Sequence, residues 1–351
     1  MQASWAMEQI LSGNATPAQF GAFVMGLRAK GESAIEVEAL VATMITHARL
    51  LDFGSERPAV ALDVVGTGGD QAHTVNISTM AALVCAAAGV PVVKHGNRAA
   101  SSSTGTADVL ERLGVVIGLE PEQVVASVRE SGIGFCFAPV HHPALRHAGP
   151  LRRELGIPTV FNILGPLTNP GNVGAALIGC ANAALAPVMA DVLHRRGVHA
   201  LVVRGEDGLD EISICAPTRV WAAGGDGVHE AVLDARDLGV RLTDPDLLRG
   251  GDSQRNAELL VAALSGLDPA GTDEARVQAI RDAVAVNAAA ALAVFRAAGG
   301  GLDGMSVNPS PATPLLERVA EMLPVARRVL ADGSALRLLQ EWAAVTARLQ
   351  G

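Results

Sequence analysis

The sequence predicts an α/β protein in two parts, a small α-helical domain at residues 1–57 and a larger α/β domain at residues 58–351 around a mostly parallel central sheet. Three observations predict this fold class. Apolar residues recur at helical spacing over the first 51 residues. The pattern changes at Ala59 to AVALDVVGTGGD, an apolar run that ends in glycines. Beyond it, strand-like and helix-like segments alternate, as is typical of a parallel sheet covered on both faces.

The small domain is predicted to consist of helices that share an apolar face. Thr16-Pro17 is a helix start, because threonine caps helices and proline suits the first turn. The apolar face consists of Ile10, Phe20, Phe23, Val24, Leu27, Val37, Leu40 and Met44. We expect this face to form the core of the small domain.

The larger domain begins with a buried strand that follows Ala59. Further strands are predicted at Val90–Val93, Gly134–Phe137, Ala175–Gly179 and Ala200–Val203, and helices at Thr79–Ala88 and Ala181–Arg196. Because such sheets bind ligands at the carboxyl ends of their strands, function is expected in the loops after Val65, Val93 and Val203. From about Thr243 onward the chain is Ala-rich and helical, and we expect it to have a packing role.

The composition excludes several classes of function. The chain has 351 residues, 49% of them apolar, and its net charge of -9 argues against nucleic-acid binding, which needs a concentrated basic surface. The apolar stretches Ala81–Val93 and Ala283–Phe295 are shorter than the roughly 20 residues of a membrane span. The N-terminus lacks the pattern of a signal peptide. We therefore expect a cytoplasmic protein that binds neither nucleic acid nor membrane.

The cysteines and histidines show no metal-binding pattern. There is no CxxC pair and no HExxH pattern, which argues against zinc and redox chemistry. We expect all four thiols to be buried: Cys85, Cys136, Cys180 and Cys215.

The first candidate motif, Gly66-Thr67-Gly68-Gly69-Asp70, follows the first strand directly. Its glycines allow the backbone to approach a ligand closely and to turn N–H groups toward an anion. It matches neither the GxGxxG dinucleotide fingerprint nor the GxxxxGK[ST] phosphate loop. The alternative is a tight turn capped by the aspartate.

The second motif, Asn76-Ile77-Ser78-Thr79, opens a helix close to the same loop. The unpaired N–H groups and the dipole of a helix start both favour a negative group such as pyrophosphate. An ordinary N-cap is the alternative, since Asn, Ser and Thr are common caps.

The third motif, Lys94-His95-Gly96-Asn97-Arg98, follows the next strand and continues into Ala99, Ala100, a run of serines that includes Ser101 and Ser102, and Thr106. Two cations, an imidazole, an amide and several hydroxyls supply many donors to phosphate oxygens. A charged stretch on a solvated face is the alternative.

The fourth motif places four carboxylates within six residues after the strand that ends at Val203. They are Glu206, Asp207, Asp210 and Glu211. Such a cluster repels itself unless it holds a cation, and oxygen ligands suit Mg2+. A solvated acidic turn is the alternative.

In order and spacing these motifs resemble those of the anthranilate phosphoribosyltransferase family. Three further segments are similar to that family: His142-Pro143-Ala144-Leu145-Arg146-His147, Arg152-Arg153-Glu154-Leu155-Gly156 and Phe161-Asn162-Ile163-Leu164-Gly165-Pro166-Leu167-Thr168-Asn169-Pro170. With Asn256-Ala257 and Asn287-Ala288-Ala289 in the tail, the resemblance covers nearly the whole chain.

The resemblance implies a fold of the nucleoside phosphorylase and phosphoribosyltransferase type. A helical excursion near residues 143–175 would return to the small domain, and two copies would form a homodimer through their small domains. The implied substrates are phosphoribosyl pyrophosphate (PRPP) and anthranilate, and the implied cofactor is a pair of Mg2+ ions.

The resemblance also implies the site residues. Ser78, Asp210 and Glu211 would bind Mg2+, and Lys94 and His95 would join the two carboxylates as catalytic residues. PRPP would contact Gly66, Gly69, Asp70, Thr74, Asn76, Ile77, Ser78, Thr79, Thr106 and the loop from Lys94 to Ser102, which includes Gly96, Arg98, Ala99 and Ala100. Asn97, Arg152 and the Gly66 carbonyl would hold anthranilate near His95, His142 and Pro166.

The chain departs from the family's pattern at two places, and two other functions compete with the one that the resemblance implies. Gln71 stands where a glycine is common, and Ser103-Thr104-Gly105-Thr106 replaces a more usual Lys-Ser-Gly-Ser. A pyrimidine nucleoside phosphorylase, similar in fold, carries Lys and His before its glycine loop, whereas this chain has Asp63-Val64-Val65-Gly66. A non-catalytic, nucleic-acid-binding relative of the fold should be basic, and this chain is acidic.

Overall fold

The computed structural model describes residues 2–56, 58–99, 104–267, 273–302 and 313–351. Its strands are β1 (Leu62–Gly66), β2 (Val92–Gly96), β3 (Ile133–Phe137), β4 (Ala175–Gly179), β5 (His199–Gly205), β6 (Thr218–Gly224) and β7 (Gly227–Leu233). They form one sheet in the order β3-β2-β1-β4-β5-β6-β7.

The five strands β3, β2, β1, β4 and β5 are parallel to one another, so the predicted α/β fold class is confirmed. β1 lies between β2 and β4, where the strand order changes direction, and ligands of open α/β sheets bind at such positions. β6 and β7 were not predicted. They form an antiparallel hairpin at one edge of the sheet, with Gly224 paired to Gly227 at its turn.

Helices cover both faces of the sheet. They are α1 (Gln2–Leu11), α2 (Pro17–Lys30), α3 (Ala34–Thr46), α4 (Ile77–Ala87), α5 (Thr106–Arg112), α6 (Pro121–Ser131), α7 (Ala138–His141), α8 (Gly149–Leu155), α9 (Phe161–Leu167), α10 (Ala186–Arg195), α11 (Ser253–Leu264), α12 (Glu274–Ala297), α13 (Leu315–Ala331) and α14 (Ser334–Gln350).

The two faces of the sheet belong to different cores because side chains alternate along each strand. In β4, Leu177 packs into the core formed with α4, α12 and α14, whereas the adjacent Ile178 packs into the core formed with α1, α3 and α10. The N-terminal helices form the predicted small α-helical part, and because α3 packs against α10, its core is continuous with the core on the second face of the sheet.

Helix α2 starts at the predicted Thr16-Pro17, and α3 starts with a cap of the same kind at Ser33, which was not predicted. Thr16 and Ser33 form capping boxes with Gln19 and Glu36, in which each side chain bonds the backbone of the other residue. Later in the chain, α8 contacts α2 and α9 contacts α3, so residues 149–167 pack beside the N-terminal helices. The domain boundary between residues 57 and 58 stays a prediction.

One helix of the described ranges is long and apolar enough to cross a membrane by length and composition. This helix, α12, has 83% of its apolar window buried inside the protein. It packs against α4 and α13. These contacts identify it as a central helix of the fold.

Two local predictions were wrong. Cys215 is partly exposed, whereas Cys85, Cys136 and Cys180 are buried as expected. The helix predicted from Ala181 begins at Ala186, because residues 182–185 form a turn in which Asn182 Oδ1 accepts the backbone N–H of Ala184.

Candidate active site

The predicted loops meet at the carboxyl ends of the parallel strands, where the segment that carries Asp210 lies across β1 and β4. A Cβ atom at Gly179 would lie 1.6 Å from the Asp210 carbonyl oxygen, and one at Gly66 would lie 2.4 Å from Asp210 Oδ2. No side chain fits at these distances, so both strands must end in glycine for the acidic segment to approach. The sequence predicted that Gly66 lets a ligand approach the backbone; in the structure the absence of a side chain there makes room for the Asp210 carboxylate.

The backbone of the glycine loop is left-handed at several positions. φ is +66° at Gly68 and +86° at Gly69, and the non-glycine residues Gln71 and His73 have φ of 60° and 52°. The Gly68 N–H donates to Asp210 Oδ2 at 2.6 Å, which joins the loop to the acidic segment. Gln71, where a glycine is common in the family it resembles, therefore adopts a conformation that costs a side-chain-bearing residue about 1–2 kcal/mol.

Asp210 and Glu211 are buried at this junction, with 9% and 8% of their surface exposed. Burial raises the pKa of Asp210 well above its usual value, and the charges of Asp70 and Glu211 raise it further. Burial also raises the pKa of Glu211 to about 8, although Lys94 and the Ser78 N–H oppose the shift. The Ser78 N–H donates to Glu211 Oε1 at 3.1 Å. The fold thus holds two carboxylates where little positive charge compensates them.

The other two carboxylates of the acidic motif do not join this pair, so the predicted four-carboxylate cluster is wrong. Glu206 forms an exposed ion pair with Arg219 at 2.9 Å. Asp207 Oδ2 accepts the Ser213 hydroxyl at 2.6 Å. Gly208, with φ of +96°, turns the chain between the two halves of the motif and separates their side chains.

Within the described ranges, no group of three or more His, Cys, Asp or Glu side chains is placed to hold a metal ion. The predicted set of Ser78, Asp210 and Glu211 is of another kind, a hydroxyl beside two carboxylates. All its ligand atoms are oxygens, which fits a hard divalent cation and not zinc. The uncompensated charge of the carboxylates supports the same assignment.

Lys94 lies beneath the carboxylates and is almost fully buried. Its ammonium donates to the Val64 carbonyl and, at 3.4 Å, to Ser78 Oγ. Burial lowers the pKa of Lys94, while the charges of Asp63 and Glu211 raise it. Its position, under Ser78 and between two carboxylates, differs from that of a phosphate donor in an open loop.

Asp63 and Asn169 are buried partners that the predicted site did not include. Asn169 Nδ2 donates to Asp63 Oδ2 and to the Val93 carbonyl, both at 2.7 Å. Asp63 Oδ1 accepts the His95 N–H at 3.3 Å. Together, Asp63 and Asn169 fix the backbone of β2 on both sides of Lys94. The available signal was a charged residue in the middle of an apolar strand.

The loop after β2 is fastened to the start of α5 by one carboxylate. Asp108 Oδ2 accepts the N–H groups of Ala99 and Gly105 at 3.1 and 2.9 Å. The guanidinium of Arg98 is engaged in ion pairs with Asp108 and Glu111, so it holds the loop against α5. This contact had no signal in the motif itself.

Several predicted residues have defined places around this loop. Gly96 ends β2, Asn97 Oδ1 accepts the Arg98 N–H at 2.8 Å, and the hydroxyls of Thr79 and Thr106 lie 3.3 Å apart. Ile77 is buried in the core and offers only its backbone. Ala100, Ser101 and Ser102 lie outside the described residues.

Two asparagines of the tail connect the site to the helices behind it, and the predicted site omitted both. Asn256 Nδ2 donates to Asn76 Oδ1 at 3.1 Å, and its Oδ1 accepts the Gly251 N–H at 2.8 Å. Asn287 is fully buried in α12 and bonds both the N–H and the carbonyl of Ile212, at 3.0 and 2.9 Å. Thr74 is paired to the same region through a bridge to Arg249.

A wall of neutral histidines lies beside the loop. His95 Nδ1 lies 2.9 Å from the Gly165 carbonyl, and His142 Nε2 lies 3.0 Å from the Thr168 carbonyl. Burial lowers the pKa of His95 to about 3 and that of His142 to about 4. The two rings are 5.1 Å apart, and Pro166 follows Gly165 in α9. His95 Nε2 is buried and has no hydrogen-bond partner among the described residues, so it presents an acceptor.

Arg152 extends from α8 over the ring of Phe161, with its Cζ 5.7 Å from the ring centroid. Its side chain is half-buried, and burial lowers its pKa. Among the described residues no carboxylate pairs with it, in contrast to Arg98. A half-buried guanidinium without a partner is suited to bind an anionic group of a ligand.

The chain matches known proteins along almost its whole length. The family described as "Glycosyl transferase family, a/b domain" matches residues 58–336, and the one described as "Glycosyl transferase family, helical bundle domain" matches residues 1–48. The fold and site therefore define a glycosyl transferase.

Individual relatives narrow this class. An anthranilate phosphoribosyltransferase of Salinispora arenicola is 54% identical over 97% of this chain and 90% of its own length. The crystal structure of the Thermus thermophilus enzyme, 39% identical, has a TM-score of 0.84 and covers 98% of this chain and 94% of its own. The Saccharomyces cerevisiae enzyme in complex with PRPP and Mg is 26% identical, with a TM-score of 0.82, and covers 99% of this chain and 92% of its own. This chain belongs to the anthranilate phosphoribosyltransferase family.

Proposed function

We propose that this chain transfers the 5-phosphoribosyl group of PRPP to the amine of anthranilate. The products are N-(5-phosphoribosyl)anthranilate and pyrophosphate, and the step belongs to tryptophan biosynthesis. The observation that carries the proposal is the convergence of the glycine loop, the start of α4 and the buried Asp210-Glu211 pair at one edge of the sheet. The family membership agrees with it.

Ser78, Asp210 and Glu211 are the residues that would hold two Mg2+ ions. Their oxygen atoms and the unbalanced charge of the carboxylates support this assignment. When bound, Mg2+ neutralises negative charge on the pyrophosphate. The yeast relative whose structure contains PRPP and Mg, matched over 99% of this chain, supports the same cofactor.

PRPP is proposed to lie along the glycine loop and the start of α4. Gly69, Asp70, Thr74 and Asn76 would line this path, and the glycines with left-handed backbone would allow a ligand to approach the chain closely. Lys94, held below the loop, contributes positive charge as the bond between C1 of the ribose and the pyrophosphate breaks.

Anthranilate is proposed to bind between Arg152 and the histidine wall. Arg152 would pair with its carboxylate, with Asn97 and the Gly66 carbonyl nearby, while His95, His142 and Pro166 form the neutral side of the pocket. The amine of anthranilate is uncharged near neutral pH, so the protein needs to position it and not to deprotonate it before attack. Because the pKa of His95 is about 3, its imidazole stays neutral and serves as an acceptor.

A homodimer joined through the N-terminal helices is also proposed. Trp5 of α1 and Ile35 of α3 are large apolar residues with 67% and 65% of their surface exposed. Because α1 and α3 contact each other, these two side chains would belong to one apolar patch, and such a patch is typical of an interface. Light scattering on the wild type and on a Trp5→Lys, Ile35→Lys variant would test it, and a wild-type monomer would refute it.

A cytoplasmic location is also proposed. All four cysteines are free, as is usual in a reducing compartment, which supports this location.

The activity is tested by the fluorescence of anthranilate, which should fall only when PRPP and Mg2+ are both present and should stop falling on chelation with EDTA. Asp210→Asn should reduce the rate by about 100-fold or more, as loss of a group that stabilises developing charge does. Glu206→Gln, on an exposed carboxylate of the same motif, is the matched control and should keep the wild-type rate. Consumption of anthranilate without PRPP, or equal rates for both variants, would contradict the assignment.

A further inference from the structure

A cavity of about 510 Å³ lies at the opposite end of the sheet from the candidate active site. His199 at the start of β5, the turn of the hairpin β6–β7, the end of α12 and the start of α13 enclose it. Its volume is in the range of small-molecule sites, roughly 300–1,000 Å³. None of the residues that line it belongs to the predicted catalytic or substrate-binding set.

Most of the cavity wall is apolar. Leu201 of β5, Ala222 of β6, Ala293 and Ala297 of α12 and Leu315 of α13 line it. Because the alanine side chains are small, the residues that the structure describes leave this space unfilled. An apolar group of a ligand would contact aliphatic carbon on several sides.

The polar group of the cavity is the guanidinium of Arg318. Its Nε atom is buried and has no hydrogen-bond partner, and no ion pair forms with it in the described part of the chain. Burial lowers the pKa of Arg318, since its charge is incompletely solvated. A buried N–H donor that finds no acceptor among the described residues is costly, and an anion that accepts from it would remove that cost. Arg318 also lies in the first turn of α13, whose dipole favours a negative group.

Three other ionisable groups face the cavity. Asp226 forms an exposed ion pair with His229, with Nε2 and Oδ2 3.2 Å apart, and His199 lies across the hairpin turn from them. The carboxylate of Asp226 raises the pKa of Arg318 and disfavours a second negative charge nearby. The cavity therefore suits an anion with a single charge better than a phosphate.

We propose that this cavity is a second binding site, which takes a small monocarboxylate with an apolar body. Its carboxylate pairs with Arg318, and its apolar body contacts Leu201, Ala293 and Leu315. The proposal does not depend on the transferase activity, because none of its residues contacts the predicted substrates.

The test measures binding of 3-phenylpropionate by calorimetry, with the uncharged 3-phenylpropanol as the matched ligand. Wild-type protein should bind the carboxylate at least about 10-fold more tightly than the alcohol, because one charge-assisted hydrogen bond separates them. Arg318→Met should remove this preference, and Ala297→Leu should weaken both ligands by filling the cavity. Arg328→Met changes an exposed arginine of the same helix and should bind as the wild type does.

Arg152→Met separates this cavity from the active site, whose own guanidinium also attracts carboxylates. Loss of binding in Arg318→Met with retention in Arg152→Met supports the proposal. Three outcomes would overturn it: loss in Arg152→Met alone, equal affinity for carboxylate and alcohol, or no binding to the wild type. Thermal melts of each variant without ligand identify a variant that has lost binding only because it is unfolded.

Discussion

Replacing Arg152 by methionine should weaken anthranilate binding without weakening the fold. The guanidinium lies over Phe161 and has no ion pair among the described residues, so the free protein loses no salt bridge on substitution. Methionine keeps the apolar stem that covers the ring, and it removes a charge whose pKa burial has lowered. We therefore expect the free energy of unfolding to stay within about 0.5 kcal/mol of the wild type or to rise.

The effect on substrate follows from the loss of one charge-assisted interaction with the anthranilate carboxylate. Such bonds contribute roughly 1.5–3 kcal/mol, which corresponds to about 10-fold to 150-fold in KM. Arg152→Lys should restore only part of this, because an ammonium lacks the planar two-donor fork. KM for PRPP should hardly change, since the glycine loop and α4 bind it with other donors.

The assay is steady-state kinetics with each substrate varied in turn, together with thermal melts. Arg153→Met is the matched control, because Arg153 is the exposed neighbour in the same helix. Equal losses for both substrates would indicate that the substitution moves α8 and not that it removes a substrate contact. Unchanged kinetics in a folded Arg152→Met variant would refute the role of this residue.

Three further predictions concern the backbone and the histidine wall. Gly179→Ala should reduce both stability and activity, because its Cβ would lie 1.6 Å from a carbonyl oxygen. Gly68→Ala should lose only about 1–2 kcal/mol from its left-handed backbone, because no atom of the described residues lies within 4 Å of its Cβ. Melting curves and rates of the two variants should therefore separate, and similar losses would contradict this. Gln71→Gly should raise the free energy of unfolding in urea by up to about 1 kcal/mol, because glycine adopts its φ of 60° without strain. Burial lowers the pKa of folded His142 to about 4, so the stability it contributes is complete above its unfolded pKa of 6.5 and is lost as the pH falls toward 4. His142→Asn should therefore show a shallower loss of unfolding free energy than the wild type when the pH is lowered through this window, and parallel curves would contradict the shift.

The sequence predicted the parallel part of the fold because buried strands leave continuous apolar runs. The strand Ala175–Gly179 has the predicted ends, since Pro170, Gly171 and Gly174 precede it and a glycine ends it. The hairpin β6–β7 was missed although Gly224-Gly225-Asp226-Gly227 is a turn signal between alternating segments. In its outer strand, His229 and Glu230 interrupt the apolar residues and are exposed, so it lacks the apolar run on which the other predictions depended.

The sequence predicted which residue types form the site, but it did not predict which of their side chains point into it. Nothing in the spacing of the acidic motif distinguishes Glu206, which pairs with Arg219 on the surface, from Glu211, which is buried beside Ser78. That difference depends on contacts distant in sequence, above all the two hydrogen bonds between the Asn287 amide and the backbone of Ile212, one accepted and one donated by Asn287. Arg98 shows the same limit, since its motif suggests a phosphate donor and its partners are carboxylates of the next helix.

The carboxylates also occupy donors that a phosphate would use. Asp210 accepts the Gly68 N–H at 2.6 Å, and Glu211 accepts the Ser78 N–H at 3.1 Å, so both predicted anion-binding positions are satisfied by the protein itself. A pyrophosphate that took these donors alone would leave two buried carboxylates without their hydrogen bonds and beside further negative charge, which is costly. The cost disappears only if a cation reaches the carboxylates at the same time. PRPP and the divalent cation are therefore expected to bind together. The Gly68 and Ser78 N–H groups bind the carboxylates in the free protein, and a pyrophosphate that took these groups would leave the carboxylates to the cation.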